Sequence, residues 1–232
     1  MHDKHPIIDI WIARLDEPEV LGVPNSIWDD ILSTEERERR SRLRFSNDRN
    51  LFTLSRVLLR TRLSEYASVS PQAWEFVQGR FGKPMLSPRL MEAHGLHFSL
   101  SHANSTAVCA ITRSGPVGVD VESLDRELDV DALAKPVLTP DEQASLTGLA
   151  EPLKRHRFLT FWTLKEAYLK ARGVGLSVPL QSFSFTGYPP RLVETEESRD
   201  NVGNWVFDSR TYPNNDIVSY ALYQGQLFDN EV

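Results

Sequence analysis

The chain has 232 residues, 41% hydrophobic and 25% charged, with a formal net charge of −6 and a single cysteine. That is globular composition, long enough for one large domain or two small ones with real cores, and its acidity argues against general nucleic-acid affinity. One cysteine excludes an internal disulfide and fits a reducing compartment. The opening MHDKHPIIDIWIARL carries charge too early for a signal peptide, and no stretch approaches the ~18 apolar residues of a membrane span, so a soluble, cytoplasmic protein without membrane partners is expected.

Ile8, Ile10 and Ile12 alternate with Asp9, Trp11 and Ala13, the period of a strand. After a connection holding Pro18 and Pro24, Ser33 or Thr34 caps a helix with Glu35 and Glu36 in its first turn. That helix carries Arg37, Arg39, Arg40, Arg42 and Arg44. It is either a solvated face partly neutralised by Glu35, Glu36 and Glu38 or a cationic patch for a phosphate or an acidic partner. Residues 48–66 read as a second helix, with Leu51, Leu54, Leu58 and Leu59 toward a core. A turn leads to a short strand at 74–77, then to the glycine-bearing loop 79–84 with Arg80 and Lys83. Leu96, Phe98 and Leu100 alternate with His97, Ser99 and Ser101 in a strand ending at Ser101-His102-Ala103-Asn104, and 106–112 is an apolar strand. Cys109, inside AVCAI, reads as a small core residue.

Ser114-Gly115-Pro116 is a turn that divides 1–115 from 116–232. Beyond it, Val117, Val119 and Val121 face one way and Gly118, Asp120 and Glu122 the other. Thr139-Pro140-Asp141-Glu142 has the form of a helix start. Residues 155–175 form one long helix closed by Gly173 and Gly175. Phe158, Phe161, Trp162 and Leu169 share one side of it, and Leu164, Ala167 and Ala171 cover the other, which marks a buried helix. Lys165 falls within the apolar stripe, and Glu166 and Lys170 stand one turn apart on an adjoining strip. Buried charges need partners, whereas a surface Glu–Lys pair at this spacing needs none. Strands follow at 182–185, 204–207 and 217–223, separated by the polar run 194–201, which reads as an exposed loop.

Three groups can carry chemistry. Asp120 and Glu122 share a strand face, roughly 6.6 Å apart along the chain, with Gly118 leaving room for a ligand to approach. Oxygen ligands without histidine or cysteine suit Mg²⁺ or Mn²⁺, with Glu142 as a possible third; the alternative is an exposed face with two solvated acids. Lys83, Arg80, Ser101 and His102 can offer cations and hydroxyls to phosphate, or the loop is a plain turn. Ser101 and His102 point to opposite faces and do not form a nucleophile–base pair. The arginine helix is the third group.

The succession GKP, FSLSH, GVDVE, LTPDE and FWTLKEAYLKARGVGL resembles the 4′-phosphopantetheinyl transferases of the Sfp type, over roughly residues 32–185. The resemblance implies an α+β fold of two similar halves in one chain, related by a pseudo-twofold axis with the active site in the cleft between them. It implies transfer of phosphopantetheine from coenzyme A to a serine of an apo acyl- or peptidyl-carrier protein, with release of adenosine 3′,5′-bisphosphate, by a Mg²⁺-dependent monomer. Carried onto this sequence, Asp120, Glu122 and Glu142 resemble the acidic metal ligands. Lys83, Ser101 and His102 resemble coenzyme A contacts, with His102 near the 3′-phosphate and Arg80 as an addition. Lys165, Glu166 and Lys170 match the lysine–glutamate–lysine helix, Glu166 as base and Lys170 as phosphate-binding, proton-donating lysine. Arg40, Arg44 and Arg49 are equal candidates for the nucleotide, and Asn47 stands where some relatives carry a basic residue. The competing readings are a metal-dependent coenzyme A pyrophosphatase, a non-catalytic module binding carrier protein or coenzyme A, and a nucleic-acid binder. The last is disfavoured because the arginine helix lacks interleaved aromatics.

Overall fold

Period-two alternation in six strands builds the centre of the molecule. The computed structural model describes residues 8–193 and 202–225, so the polar run 194–201 lies outside the described residues. The first half contains β1 (Ile8–Arg14), α1 (Trp28–Ile31), α2 (Thr34–Ser41), α3 (Ser46–Tyr66), β2 (Phe76–Gln78), β3 (Pro84–Leu86), α4 (Pro88–His94), β4 (His97–Ala103) and β5 (Thr106–Thr112). The second contains β6 (Val117–Ser123), α5 (Val130–Val137), α6 (Pro140–Ala144), α7 (Glu151–Arg172), β7 (Ser184–Thr186), β8 (Arg191–Val193), β9 (Trp205–Thr211) and β10 (Asp216–Tyr223).

Two three-stranded antiparallel sheets form, in the orders β1-β5-β4 and β6-β10-β9. In each, the first strand in sequence pairs with the last and the last with the middle one. In each half a small hairpin, β2–β3 or β7–β8, intervenes between the long helix and the second strand of the large sheet. The protein is α+β.

Side chains on alternate faces assign the layers. Ile8, Ile10 and Ile12 of β1, Val108 and Ala110 of β5, and Val117, Val119 and Val121 of β6 join Val218 and Leu222 of β10 in one core, so the sheets pack face to face. The opposite face of the first sheet, with Ala107, Cys109 and Ile111, packs against Leu51, Leu54 and Leu58 of α3. The opposite face of the second, with Phe207 and Ala221, packs against Leu164, Ala167, Tyr168 and Leu169 of α7. The stacking is therefore α3, sheet, sheet, α7. Cys109 is fully buried and the surrounding protein pushes its thiol pKa up, as befits a core residue.

Local chemistry sets the helix ends. Ser33 and Glu36 form a reciprocal capping box at α2, as Thr139 and Glu142 do at α6. α7 starts four residues before the expected 155 because Pro152 is compatible with a first turn. It stops at Gly173, whose φ of 68° is the left-handed cap conformation.

Candidate active site

The site is built where β6 passes under α7 and beside β4. The valines of β6 are buried between the sheets, which turns Gly118, Asp120 and Glu122 toward α7. Gly118 does not leave room for a ligand, as the sequence suggested. A Cβ there would lie 1.9 Å from the Ala167 carbonyl oxygen, so the missing side chain admits the backbone of α7 instead. That close approach brings the C-terminal turns of α7 over the two acids.

Asp120 is 6% exposed. Its Oδ1 accepts from Lys170 Nζ at 2.6 Å and from Ser101 Oγ at 2.7 Å. Its Oδ2 is buried and has no hydrogen-bond partner among the described residues. Glu122, half-buried, accepts from Arg126 through both oxygens at 3.2 and 3.1 Å. Burial, and then Asp120, hold the Glu122 carboxyl above its ordinary pKa, with Arg126 acting against them.

Glu166 and Lys170 of α7 line a cleft of about 280 Å³ together with Lys83, Phe81, Ser99 and Leu100. The Glu166 carboxyl is held above its ordinary pKa by burial first, then by Asp120 and Glu122, with Lys170 opposing. Three carboxylates and one ammonium therefore share a field. Lys170 also donates to Val119 O at 3.2 Å and to Ser101 Oγ at 2.9 Å. A larger cavity, about 660 Å³, lies on another side of α7 against His156, Phe161, Leu164 and Phe185 and is lined by none of Asp120, Glu122, Glu166 and Lys170.

Two residues expected at this site are elsewhere. Lys165 is fully buried and Glu142 is 3% exposed; they form an ion pair at 2.7 Å. Lys165 Nζ also donates to the carbonyls of Val137, Leu180 and Phe183 at 3.1, 2.7 and 2.8 Å. Glu142 also accepts from the Thr139 and Phe185 amides, both at 2.9 Å. Glu142 is thus not a third metal ligand and Lys165 is not a catalytic cation. Both oxygens of the one and the ammonium of the other are consumed in tying α7 to α6 and to the segment before β7. The reason is helical phase: at 100° per residue Lys165 points about 140° away from Lys170.

From the first half, Lys83 reaches across to Val117 O at 2.9 Å and Ala171 O at 3.5 Å. Burial, and then Lys170, lower its pKa to about 8. Arg80 is exposed, with its guanidinium 5.4 Å from the centre of the Phe81 ring. Part of the His102 ring meets solvent, yet desolvation by the surrounding protein, then Lys170 and Arg56, hold its pKa below the ordinary value. These effects favour the neutral imidazole.

The arginine candidates separate. Arg40 pairs with Asp29 at 2.5 Å, and Arg49 donates to the Leu43 and Arg44 carbonyls at 2.8 and 3.0 Å. Arg44 lies 5.4 Å from the exposed Phe45 ring. Asn47 donates to Asn104 O at 3.2 Å, beside the end of β4. Sequence reasoning passed over Arg56. Its side chain is 13% exposed, its Nε is buried without a hydrogen-bond partner, and its ion pair with Glu36 is long, at 3.9 Å. The signal available was an arginine directly before the apolar run Val57-Leu58-Leu59 of α3.

Comparison with known proteins gives this arrangement a family. A family model described as the 4′-phosphopantetheinyl transferase superfamily matches residues 116–217, and one for the N-terminal part of 4′-phosphopantetheinyl transferases matches 26–114. The 4′-phosphopantetheinyl transferase HetI of Nostoc sp. is 37% identical over 173 residues, 73% of this chain and 70% of that protein. This chain belongs to the 4′-phosphopantetheinyl transferase superfamily. The 4′-phosphopantetheinyl transferase Sfp of Bacillus subtilis is 31% identical over 153 residues, 66% of this chain and 65% of its own. The crystal structure of Thermotoga maritima holo-[acyl-carrier-protein] synthase is similar over 48% of this chain and 64% of that one, with a TM-score of 0.37 and 21% identity. The phosphopantetheinyl transferases use coenzyme A and act on carrier proteins. Among the described residues of this one, no helix is long and apolar enough to cross a membrane.

Proposed function

We infer that this transferase moves 4′-phosphopantetheine from coenzyme A to a serine of an apo acyl- or peptidyl-carrier protein and releases adenosine 3′,5′-bisphosphate, at the cleft between β4, β6 and α7. The single observation that carries the assignment of the site is the meeting there of Asp120, Glu122 and Glu166 with Lys170, residues of GVDVE and KEAYLK that lie far apart in sequence.

The acids suit a divalent cation. A buried, unpartnered Asp120 Oδ2 beside Glu122 is what an oxygen-ligated Mg²⁺ or Mn²⁺ would use. Among the described residues no three His, Cys, Asp or Glu side chains are disposed to hold a metal, so two carboxylates, with phosphate oxygens and water, make the expected set. Such an ion supplies charge neutralisation at the pyrophosphate.

The chain's own groups do the rest. Glu166 takes the proton of the attacking serine, for which a positioned base is worth about 10²–10⁴-fold. Its raised pKa strengthens it as a base. Lys170 lies against the same pyrophosphate and stabilises charge on the leaving oxygen. Lys83, Arg80 and His102 hold the nucleotide phosphates, and Arg56, behind His102, adds charge there. Residues 1–115 and 116–232 act as two halves related by a pseudo-twofold axis, a reading supported by their matching strand orders, and the chain is a monomer because that internal interface replaces a dimer contact.

The test is to mix the protein with apo-carrier, coenzyme A and Mg²⁺ and weigh the carrier. A mass increase of one phosphopantetheine is expected, lost in Asp120→Ala with the fold retained. Release of phosphopantetheine to water would indicate a pyrophosphatase; binding without turnover would indicate a non-catalytic module.

A further inference from the structure

The serine before His102 has an unexpected place. β4 alternates, so Phe98 and Leu100 pack toward α3 while Ser99 and Ser101, 3% and 7% exposed, face the second sheet. β4 and β6 are neighbours without a ladder of backbone bonds between them. Side chains make the connection instead. Ser99 Oγ accepts from the Val119 amide at 3.1 Å, and Ser101 Oγ stands between Asp120 Oδ1 and Lys170 Nζ at 2.7 and 2.9 Å.

A serine hydroxyl has one hydrogen to give. An ammonium accepts nothing, so the Ser101 hydrogen goes to Asp120 and a lone pair receives Lys170. With Lys170 Nζ also on Asp120 Oδ1 at 2.6 Å, the three groups close a ring. Both donors converge on one carboxylate oxygen and leave the other, Oδ2, unpartnered.

We propose that Ser101 is a positioning residue for the metal-binding carboxylate and the catalytic lysine. With Lys170 it pins Asp120 Oδ1, so that Oδ2 is the oxygen left for the cation. Since Ser101 belongs to β4 while its partners belong to β6 and α7, the hydroxyl also sets how the first half is registered against the catalytic groups of the second. This rests on the proposed transferase site.

The experiment compares wild type with Ser101→Ala, Ser101→Thr and Ser101→Cys, after melting curves establish that each is folded. Two readouts are taken: Mn²⁺ binding to the protein without coenzyme A, by calorimetry, and transfer kinetics. Loss of a hydrogen bond to a charged group predicts that Ser101→Ala weakens Mn²⁺ binding and lowers kcat, each by about tenfold or more, with KM for coenzyme A nearly unchanged. Ser101→Thr, which keeps the hydroxyl, restores both; Ser101→Cys, a weak donor, falls between. A rise in KM with kcat and Mn²⁺ affinity kept would make Ser101 a substrate contact and overturn the proposal. So would alanine and wild type that agree in both readouts, or a kcat loss that vanishes once melting is corrected for. Mn²⁺ binding that depends on the Ser101 hydroxyl in a protein that modifies no carrier would sink the proposed reaction and leave the positioning role standing.

Discussion

Replacing Lys165 separates a structural lysine from a catalytic one. Its side chain is 0% exposed and that of Glu142 is 2% exposed. Lys165→Met leaves a buried carboxylate without its cation and takes the donor from three carbonyls. Breaking a buried pair by removing one partner costs about 3–5 kcal/mol. At about 2–4 °C per kcal/mol for a chain of this size, the melting temperature should fall by roughly 6–20 °C. In Lys165→Met/Glu142→Gln both charges are gone and the amide oxygen keeps one of the two acceptor roles that the separate Glu142 oxygens play toward the Thr139 and Phe185 amides, so part of the loss should return. Stability is read by urea denaturation and melting; kcat and KM are read at a temperature where every variant is folded, and should stay within about threefold of wild type. A Lys165→Met protein that melts with wild type yet has lost about a hundredfold in kcat, the size expected of a general acid or base, would refute the structural assignment and return Lys165 to the chemistry.

Glu166→Gln should lower kcat strongly, leave coenzyme A affinity within about a few-fold, and stabilise the metal-free protein at pH 7. A carboxyl whose pKa is raised on folding favours the native state below its unfolded value, near 4.3, and that advantage is lost as pH rises through the folded value. Melting curves at pH 4 and 7 measure the difference, and a glutamine variant that is less stable at pH 7 would contradict it. Lys83 is charged at neutrality but loses its proton near pH 8, so affinity for adenosine 3′,5′-bisphosphate should fall as pH rises through about 8. The lysine's lowered pKa also costs stability below about 8, a cost relieved as pH climbs toward the unfolded value near 10.4. Lys83→Arg, always charged, should flatten the binding profile; an unchanged profile in calorimetry would remove Lys83 from phosphate binding. Gly118→Ala, with its Cβ 1.9 Å from the Ala167 carbonyl, should push α7 outward and cost about 1–3 kcal/mol or more; wild-type melting would mean that the helix does not sit this close.

Local pattern made a good part of this molecule legible. The strands at 8–14, 97–103 and 117–123 announce themselves by alternation, and 106–112, a continuous apolar run, matches its expected bounds. The resemblance of GVDVE and WTLKEAYLK is likewise a property of the sequence, and with it the family. Some short elements escaped notice although their signals were present: Ser87-Pro88 and Gly95 bracket α4, and Asp129 caps α5 through the Ala132 amide, but Pro136 inside α5 argues against a helix. Partners are a different matter. Lys165 and Lys170 look alike on paper, two lysines on one apolar helix, and Glu142 looks like Asp120 or Glu122, an acid near a motif. Helical spacing fixes that the two lysines face different ways, and it cannot say what each way meets. That was decided when the valine face of β6 closed on the first sheet and Gly118 let α7 settle onto β6, which put Lys170 over Asp120 and Ser101 and drove Lys165 into contact with Glu142. A buried charge survives only where tertiary packing supplies its counter-charge, and that partner lies on another element.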